Sequence, residues 1–176
     1  MPDLESIKFP IGCYALRPFS EMEWQDRVYS IAQFPLRLEA TIQVLDEAQL
    51  QTPYREGGWT VHQLVHHLCD SHLNAYCRIK LALTEETPVI KPYEQEEWVK
   101  TADLMLPVNN ATTLLYALHQ RITKLIREAT PATLQRKFIH PEYKEPQTLW
   151  ELIGYYAWHG NHHLAQINAL RQRMKW

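Results

Sequence analysis

Charge of one sign is what this chain has least of. Its 18 Lys and Arg are set against 20 Asp and Glu, for a net charge of −2. That balance offers no basic face for nucleic acid or for an anionic membrane surface. No apolar run reaches the roughly 18 residues that a membrane span requires. The first ten residues carry Asp3, Glu5 and Lys8 and hold no apolar signal core. Cysteine is scarce as well: Cys13, Cys69 and Cys77 are odd in number and form no CxxC pair, which argues against a disulfide framework. These absences lead us to expect a soluble protein of a reducing compartment, the cytoplasm, without nucleic-acid or membrane partners. Internal repeats, low-complexity segments and linkers are also missing. The 176 residues therefore read as one domain, 1–176, with one sizeable core.

What is present is helical patterning, with weak strand signals. Ser20 is placed to cap a first helix over 21–34, and Pro35 is expected to break or kink it. A further apolar segment runs over 35–45, followed by a Pro- and Gly-containing loop over 51–58. Thr60 and Gln63 form a capping box that opens a helix with Val61, Leu64, Leu68, Ala75, Ile79 and Leu83 at a 3.6-residue period. Residues 84 to about 107 show no period and contain Pro88 and Pro92, a connection long enough to wrap the surface and shape a site. Asn110 is the expected cap of the next helix, which turns Leu114, Leu115, Leu118, Ile122, Leu125 and Ile126 inward. Thr130-Pro131 suits a short helical turn. Residues 138–147 read as a loop or small hairpin, and Thr148 with Glu151 forms a second capping box, opening a helix to about Met174. Four long helices, the first interrupted, make an all-α four-helix bundle with one or two long connections.

Nine histidines stand out, six of them in the windows 62–67 and 159–163. His159 and His163 are four apart and lie one turn above each other on a helix. Leu149, Leu152, Tyr156, Ile167 and Leu170 share their stripe, so both rings point into an apolar core. Burying an unpartnered imidazole costs free energy, and a metal ion would satisfy both at once. Bundle-core metal sites draw ligands from facing helices. On the 61–83 helix, taking Leu68 as the centre of the apolar stripe, His66 points nearly opposite and His62 lies well off it. His67 lies on the flank and His72 close to the stripe; wheel angles leave both open as a third ligand. Three histidines would leave a position free for water, the arrangement of catalytic rather than structural zinc sites. Imidazole also suits nickel, iron and copper. Gly160 stands where the H-E-x-x-H motif has its Glu, which argues against a zincin-like protease.

The remaining candidates have plainer readings. His62, His66 and His119 are expected to be solvated or half-buried. His72 and His162 are candidates for lining a pocket, and His140 either overhangs the site or is merely exposed. Trp59, Tyr156 and Trp158 read as core packing, Arg55 as a surface ion pair, and Cys69 and Cys77 as inert buried thiols. Asp70 is a conceivable orienting carboxylate, although its wheel position lies nearly opposite the core. No general base is evident.

Three stretches carry a family likeness: Tyr54–Tyr76 (YREGGWTVHQLVHHLCDSHLNAY), Leu81–Tyr93 (LALTEETPVIKPY) and Tyr156–Ile167 (YAWHGNHHLAQI). In order and content they resemble the YfiT group of the DinB-like superfamily, and the likeness runs from Phe9 to the end of the last helix. The resemblance implies a DinB-like four-helix bundle and a divalent metal held by His67, His159 and His163, with zinc first and nickel second. It also implies a cytoplasmic metal-dependent hydrolase acting on a small molecule, often as a homodimer. Related DinB-like proteins use the same site to activate a small thiol for S-transfer, which is the alternative chemistry; a non-catalytic metal-binding bundle is a third reading. The family commonly has a second histidine where this chain has Gln166.

Overall fold

Capping decides where the long helices begin. In the computed structural model, which describes residues 3–176, eight α-helices follow one another: α1 (Leu4–Lys8), α2 (Glu21–Ile42), α3 (Glu47–Leu50), α4 (Val61–Thr84), α5 (Gln95–Trp98), α6 (Val108–Arg127), α7 (Pro131–Leu134) and α8 (Leu149–Met174). Two short strands, β1 (Lys137–Phe138) and β2 (Gln147–Thr148), precede α8. Both capping boxes form. The Gln63 amide donates to Thr60 Oγ1 at 3.1 Å while Gln63 Oε1 accepts from the Thr60 amide at 2.9 Å. Thr148 and Glu151 make the same exchange at 3.2 and 2.5 Å. Each box satisfies amides that the first helical turn leaves without partners. Ser20 caps α2 through the Glu23 amide. α6 departs from expectation: it starts at Val108 behind Pro107, and Asn110 lies inside its first turn. Pro107 holds the residue before it extended, so the helix can begin immediately after.

Pro35 does not break α2, which continues from Glu21 to Ile42. The missing amide of residue 35 leaves the Ile31 carbonyl without its helical donor. The Nδ1 of His119 on α6 donates to that carbonyl at 2.6 Å. The lost bond is thus replaced from across the bundle, and the expected interruption disappears.

α2 packs along α6 and α8, and α4 packs along the same two helices. Thus α2 and α4, consecutive long helices, face each other across the diagonal. The apolar core falls into two parts. One contains Trp24, Ile31, Ala75, Leu118, Phe138, Ile153 and Ala157. The other contains Phe34, Leu38, Leu68, Leu115, Leu164 and Ile167. Between them, on α4, α6 and α8, lie His72, His119 and His159, each buried. A layer of imidazoles therefore crosses the bundle at mid-height.

The long connections are pinned rather than loose. The Ile90 amide donates to the Ile139 carbonyl at 2.9 Å, and the Ile139 amide to Pro88 at 2.8 Å. β1 and β2 pair antiparallel, Lys137 opposite Thr148. Arg136 donates to the Ala82 carbonyl at 2.6 Å and to Glu85 at 2.7 Å, serving the carbonyls that the C-terminal end of α4 leaves free. These bonds fix Tyr93 and His140 above the histidine layer.

Gly160 explains the absent zincin Glu. A Cβ there would stand 2.9 Å from Phe34 Cδ2 and 3.0 Å from Phe34 Cε2, so α8 approaches α2 over the bare glycine. The Phe34 ring in turn stacks on His72, centroids 5.3 Å apart. Gly→Ala inside a helix ordinarily stabilises by up to about 1 kcal/mol. Here Gly160→Ala is expected to destabilise by about 1–3 kcal/mol, because the added methyl overpacks a core contact. Urea unfolding measures it; an unchanged or raised midpoint would contradict the packing account.

Candidate metal centre

Three imidazoles converge from two helices. α4 supplies His67, and α8 supplies His159 and His163 one turn apart; their nitrogen donors lie within 4.8 Å of one another. His67 Nε2 and His159 Nε2 are 3.4 Å apart. Nitrogens each about 2.1 Å from one tetrahedral ion stand about 3.4 Å apart, so this spacing suits a shared ion. His67 and His159 are buried and His163 is partly so. The Trp59 ring covers His67 at a centroid distance of 4.6 Å.

Hydrogen bonds decide which nitrogens are free. The Ile31 carbonyl can only accept, so His119 carries its proton on Nδ1 and presents a bare Nε2. His72 Nδ1 lies 2.8 Å from that Nε2 and must be the donor. His72 Nε2 is then bare, and His159 Nδ1, 3.4 Å away, donates to it. The neutral His159 ring is left with a lone pair on Nε2, the atom that faces His67. Gln166 settles the third ring. Its Nε2 donates to the Lys8 carbonyl at 2.7 Å, which fixes the amide orientation, and its Oε1 accepts from His163 Nδ1 at 2.8 Å. His163 Nε2 is therefore bare as well. Gln166 thus orients a candidate ligand.

Burial keeps these rings neutral. Desolvation lowers the His67 pKa to about 4 and that of His119 to about 4. His159 and His163 are pushed well below the ordinary histidine value by burial first and by neighbouring imidazoles second. Neutral rings with free lone pairs aimed at one point are the donor set a divalent ion requires. The residues present fit a metal, and they could hold one.

The other candidates divide. His72 stands behind His159 and not among the converging nitrogens. His140 lines a cavity of about 350 Å³ that His159 also lines, together with Arg78, Tyr93, Tyr143 and Tyr155. His162 and His163 line a second cavity of about 340 Å³ beside Trp59 and Arg55. His62, His66 and His119 are buried, against expectation. Both Nε2 atoms of His62 and His66 lie 3.1 Å from the Leu106 carbonyl, because the 85–107 connection covers that face of α4. Among the described residues Arg55 has no acidic partner and instead bonds Tyr54 Oη and the Glu56 carbonyl. Cys77 is exposed, whereas Cys69 is buried, with its thiol pushed up to about 12 mainly by desolvation. Asp70 orients no imidazole; burial, then the nearby Asp103, raise its carboxyl to about 6. Glu151 is engaged in its cap.

The sequence reading does not reach His119, Phe34 and Pro35, which pack behind the site. A signal for His119 existed: it follows Leu115 by four and precedes Ile122 by three, the same stripe test that singled out His159.

Comparison with known proteins places this geometry. The family model described as the DinB superfamily matches residues 31–167. The chain belongs to the DinB superfamily. A protein of Bacillus mycoides strain KBAB4, provisionally named a metal-dependent hydrolase, is 44% identical over 174 residues, covering 98% of this chain and all of that one. A Bacillus cereus strain 03BB102 protein with the same provisional name matches to the same extent. The structure of YfiT from Bacillus subtilis superposes with a TM-score of 0.93 at 42% identity, covering 97% of this chain and 99% of that one. YfiT is described, again provisionally as to activity, as a metal-dependent hydrolase with an unusual four-helix bundle topology. No helix among the described residues is long and apolar enough to cross a membrane.

The buried His119 makes stability depend on pH. Its pKa of about 4 lies below the roughly 6.5 of an unfolded histidine. Its contribution is therefore complete above about pH 6.5 and lost as pH falls toward 4, when the unfolded chain binds a proton that the fold refuses. The loss for this one group is on the order of 3 kcal/mol. Calorimetry should show Tm falling between pH 7 and pH 4.5, and falling less in His119→Gln. A flat profile would contradict the burial.

Proposed function

We propose that this protein is a metal-dependent hydrolase of small molecules, with one divalent ion, zinc in the first instance, held by His67, His159 and His163. The observation that carries the reading is the convergence of nitrogens from His67, His159 and His163 within 4.8 Å of one another, with the Nδ1 atoms of His159 and His163 turned away toward hydrogen-bond partners. When bound, a divalent ion supplies Lewis-acid polarisation and acidifies water toward a pKa near 7. Three protein ligands leave room for water and substrate.

The chain's own residues supply the rest. The cavity of about 350 Å³ that His159 lines has the size of a small-molecule site. Arg78, on its wall, is held by Tyr156 Oη at 3.1 Å and the Lys91 carbonyl at 3.4 Å, which sets a positive charge beside the reacting region. His140 Nδ1 accepts from the Glu142 amide at 3.3 Å. The neutral ring then carries its proton on Nε2, a donor suited to a leaving group. Tyr155 and Tyr156 form an aromatic wall around His159, with centroids 5.6 and 5.8 Å from its ring. Cytoplasmic action and a homodimeric assembly belong to the same reading and rest on the family resemblance alone.

Elemental analysis is expected to find one zinc per chain in the wild type and none in His163→Ala. Hydrolysis of small esters or amides should fall in that variant by more than the roughly 10–100-fold that losing an outer partner costs. Chelation should abolish the activity and zinc restore it. Turnover that requires a thiol and an electrophile, with no hydrolysis, would replace this reading by thiol transfer. Absence of stoichiometric metal would remove both.

A further inference from the structure

A chain of four groups runs through the bundle behind the candidate metal site and ends on a backbone atom that is free only because of a proline. Pro35 has no amide hydrogen, so the Ile31 carbonyl lacks its helical donor. His119 Nδ1 takes that place at 2.6 Å, His72 Nδ1 follows on His119 Nε2 at 2.8 Å, and His159 Nδ1 on His72 Nε2 at 3.4 Å. From the structure we infer that His72 and His119 are positioning residues which, anchored on the Ile31 carbonyl, hold His159 in the Nδ1-protonated tautomer and turn its Nε2 toward the metal.

The direction of the chain is forced. A carbonyl oxygen has no proton to give, so the donor at the first link is His119, and each neutral ring can then give at only one nitrogen. Had residue 35 carried an amide, Ile31 would be engaged in its own helix, and the relay would lack a fixed starting acceptor. His119 would then be free to reverse, and with it His72 and His159. In the reversed state His159 would carry its proton on Nε2, where no metal can bind. The rings have little room to turn. Phe34 lies against both rings, its centroid 5.3 Å from that of His72 and 5.3 Å from that of His119. Both positioning rings are almost fully buried, His72 and His119 each at 1% exposure, so water cannot substitute for a missing link. His163 reaches the same tautomer by a separate route through Gln166 and the Lys8 carbonyl. The two α8 rings are thus oriented independently, each from a backbone carbonyl.

This inference rests on the metal reading above, and its test separates the two. Long-range ¹H–¹⁵N spectra of the zinc-loaded wild type should show His119, His72 and His159 all protonated on Nδ1. Zinc dissociation constants, measured against a chromophoric chelator, are then compared for the wild type, His119→Phe and His119→Gln. Phe fills the space and breaks the chain; Gln keeps one donor and one acceptor. Zinc binding is expected to weaken about 10–100-fold in His119→Phe and to recover to within about threefold of wild type in His119→Gln. His119→Phe should also lose the single Nδ1-protonated state of His159 in the metal-free protein. Wild-type affinity in His119→Phe, equal weakening in both variants, or an Nε2-protonated His72 in the wild type would overturn the relay while leaving the metal site standing. Failure of the wild type to bind zinc would instead overturn the metal reading. If His119→Phe does not fold, the wild-type spectra alone decide.

Discussion

An imidazole inside an apolar bundle must have a partner for each of its two nitrogens, and most of this fold's particular features answer that demand. Leaving a buried polar group unpaired costs on the order of 1–3 kcal/mol, and eight of the nine histidines are buried. Ordinary helix packing would not tolerate a layer of this kind. Here Pro35 releases a carbonyl, the 85–107 connection brings the Leu106 carbonyl over His62 and His66, and Gln166 bridges His163 to the Lys8 carbonyl. Once these partners are assigned, the nitrogens of His159 and His163 that remain free face His67. The candidate metal centre lies where these free nitrogens meet; His162 Nδ1, one turn away on α8, is buried without a partner.

The same constraint accounts for Gly160. α8 must approach α2 closely enough for Phe34 to stack against His72, and a Cβ at 160 would prevent that. The position that bears a catalytic Glu in zincins is therefore occupied by an aromatic ring from another helix. The connections contribute polar groups to the cavity beside those of α4 and α8. His140 and Tyr93 are held over the cavity by the pairing of 88–90 with 139 and by Arg136 across the end of α4.

Features governed by contacts within one turn were legible in the sequence. The boxes Thr60–Gln63 and Thr148–Glu151, the Ser20 cap and the Thr130-Pro131 turn follow local rules and formed; residues 138–147, which read as a loop or a small hairpin, are flanked by the paired β1 and β2. The inward stripe of α8 marked His159 and His163 correctly as core-facing. Features that depend on a distant acceptor were not legible. Pro35 carries a helix-breaking signal whose local rule is sound; the compensating donor lies 84 positions away, on His119. His66 does point away from the main core, as its wheel angle says, but the 85–107 connection buries it. His67 and His72 could not be separated by helix angle, and family likeness favoured His67. The structure separates them by connectivity, with His67 Nε2 facing the converging nitrogens and His72 engaged at both of its own.

The account's central claim is that three imidazole nitrogens from α4 and α8 converge on one ion. X-ray absorption spectroscopy of the zinc-loaded protein tests it most directly. The predicted first shell holds three nitrogens at about 2.0–2.1 Å with the outer-shell scattering of imidazole rings, completed by oxygen donors. A shell containing sulfur, or one of oxygens without imidazole scattering, would contradict it.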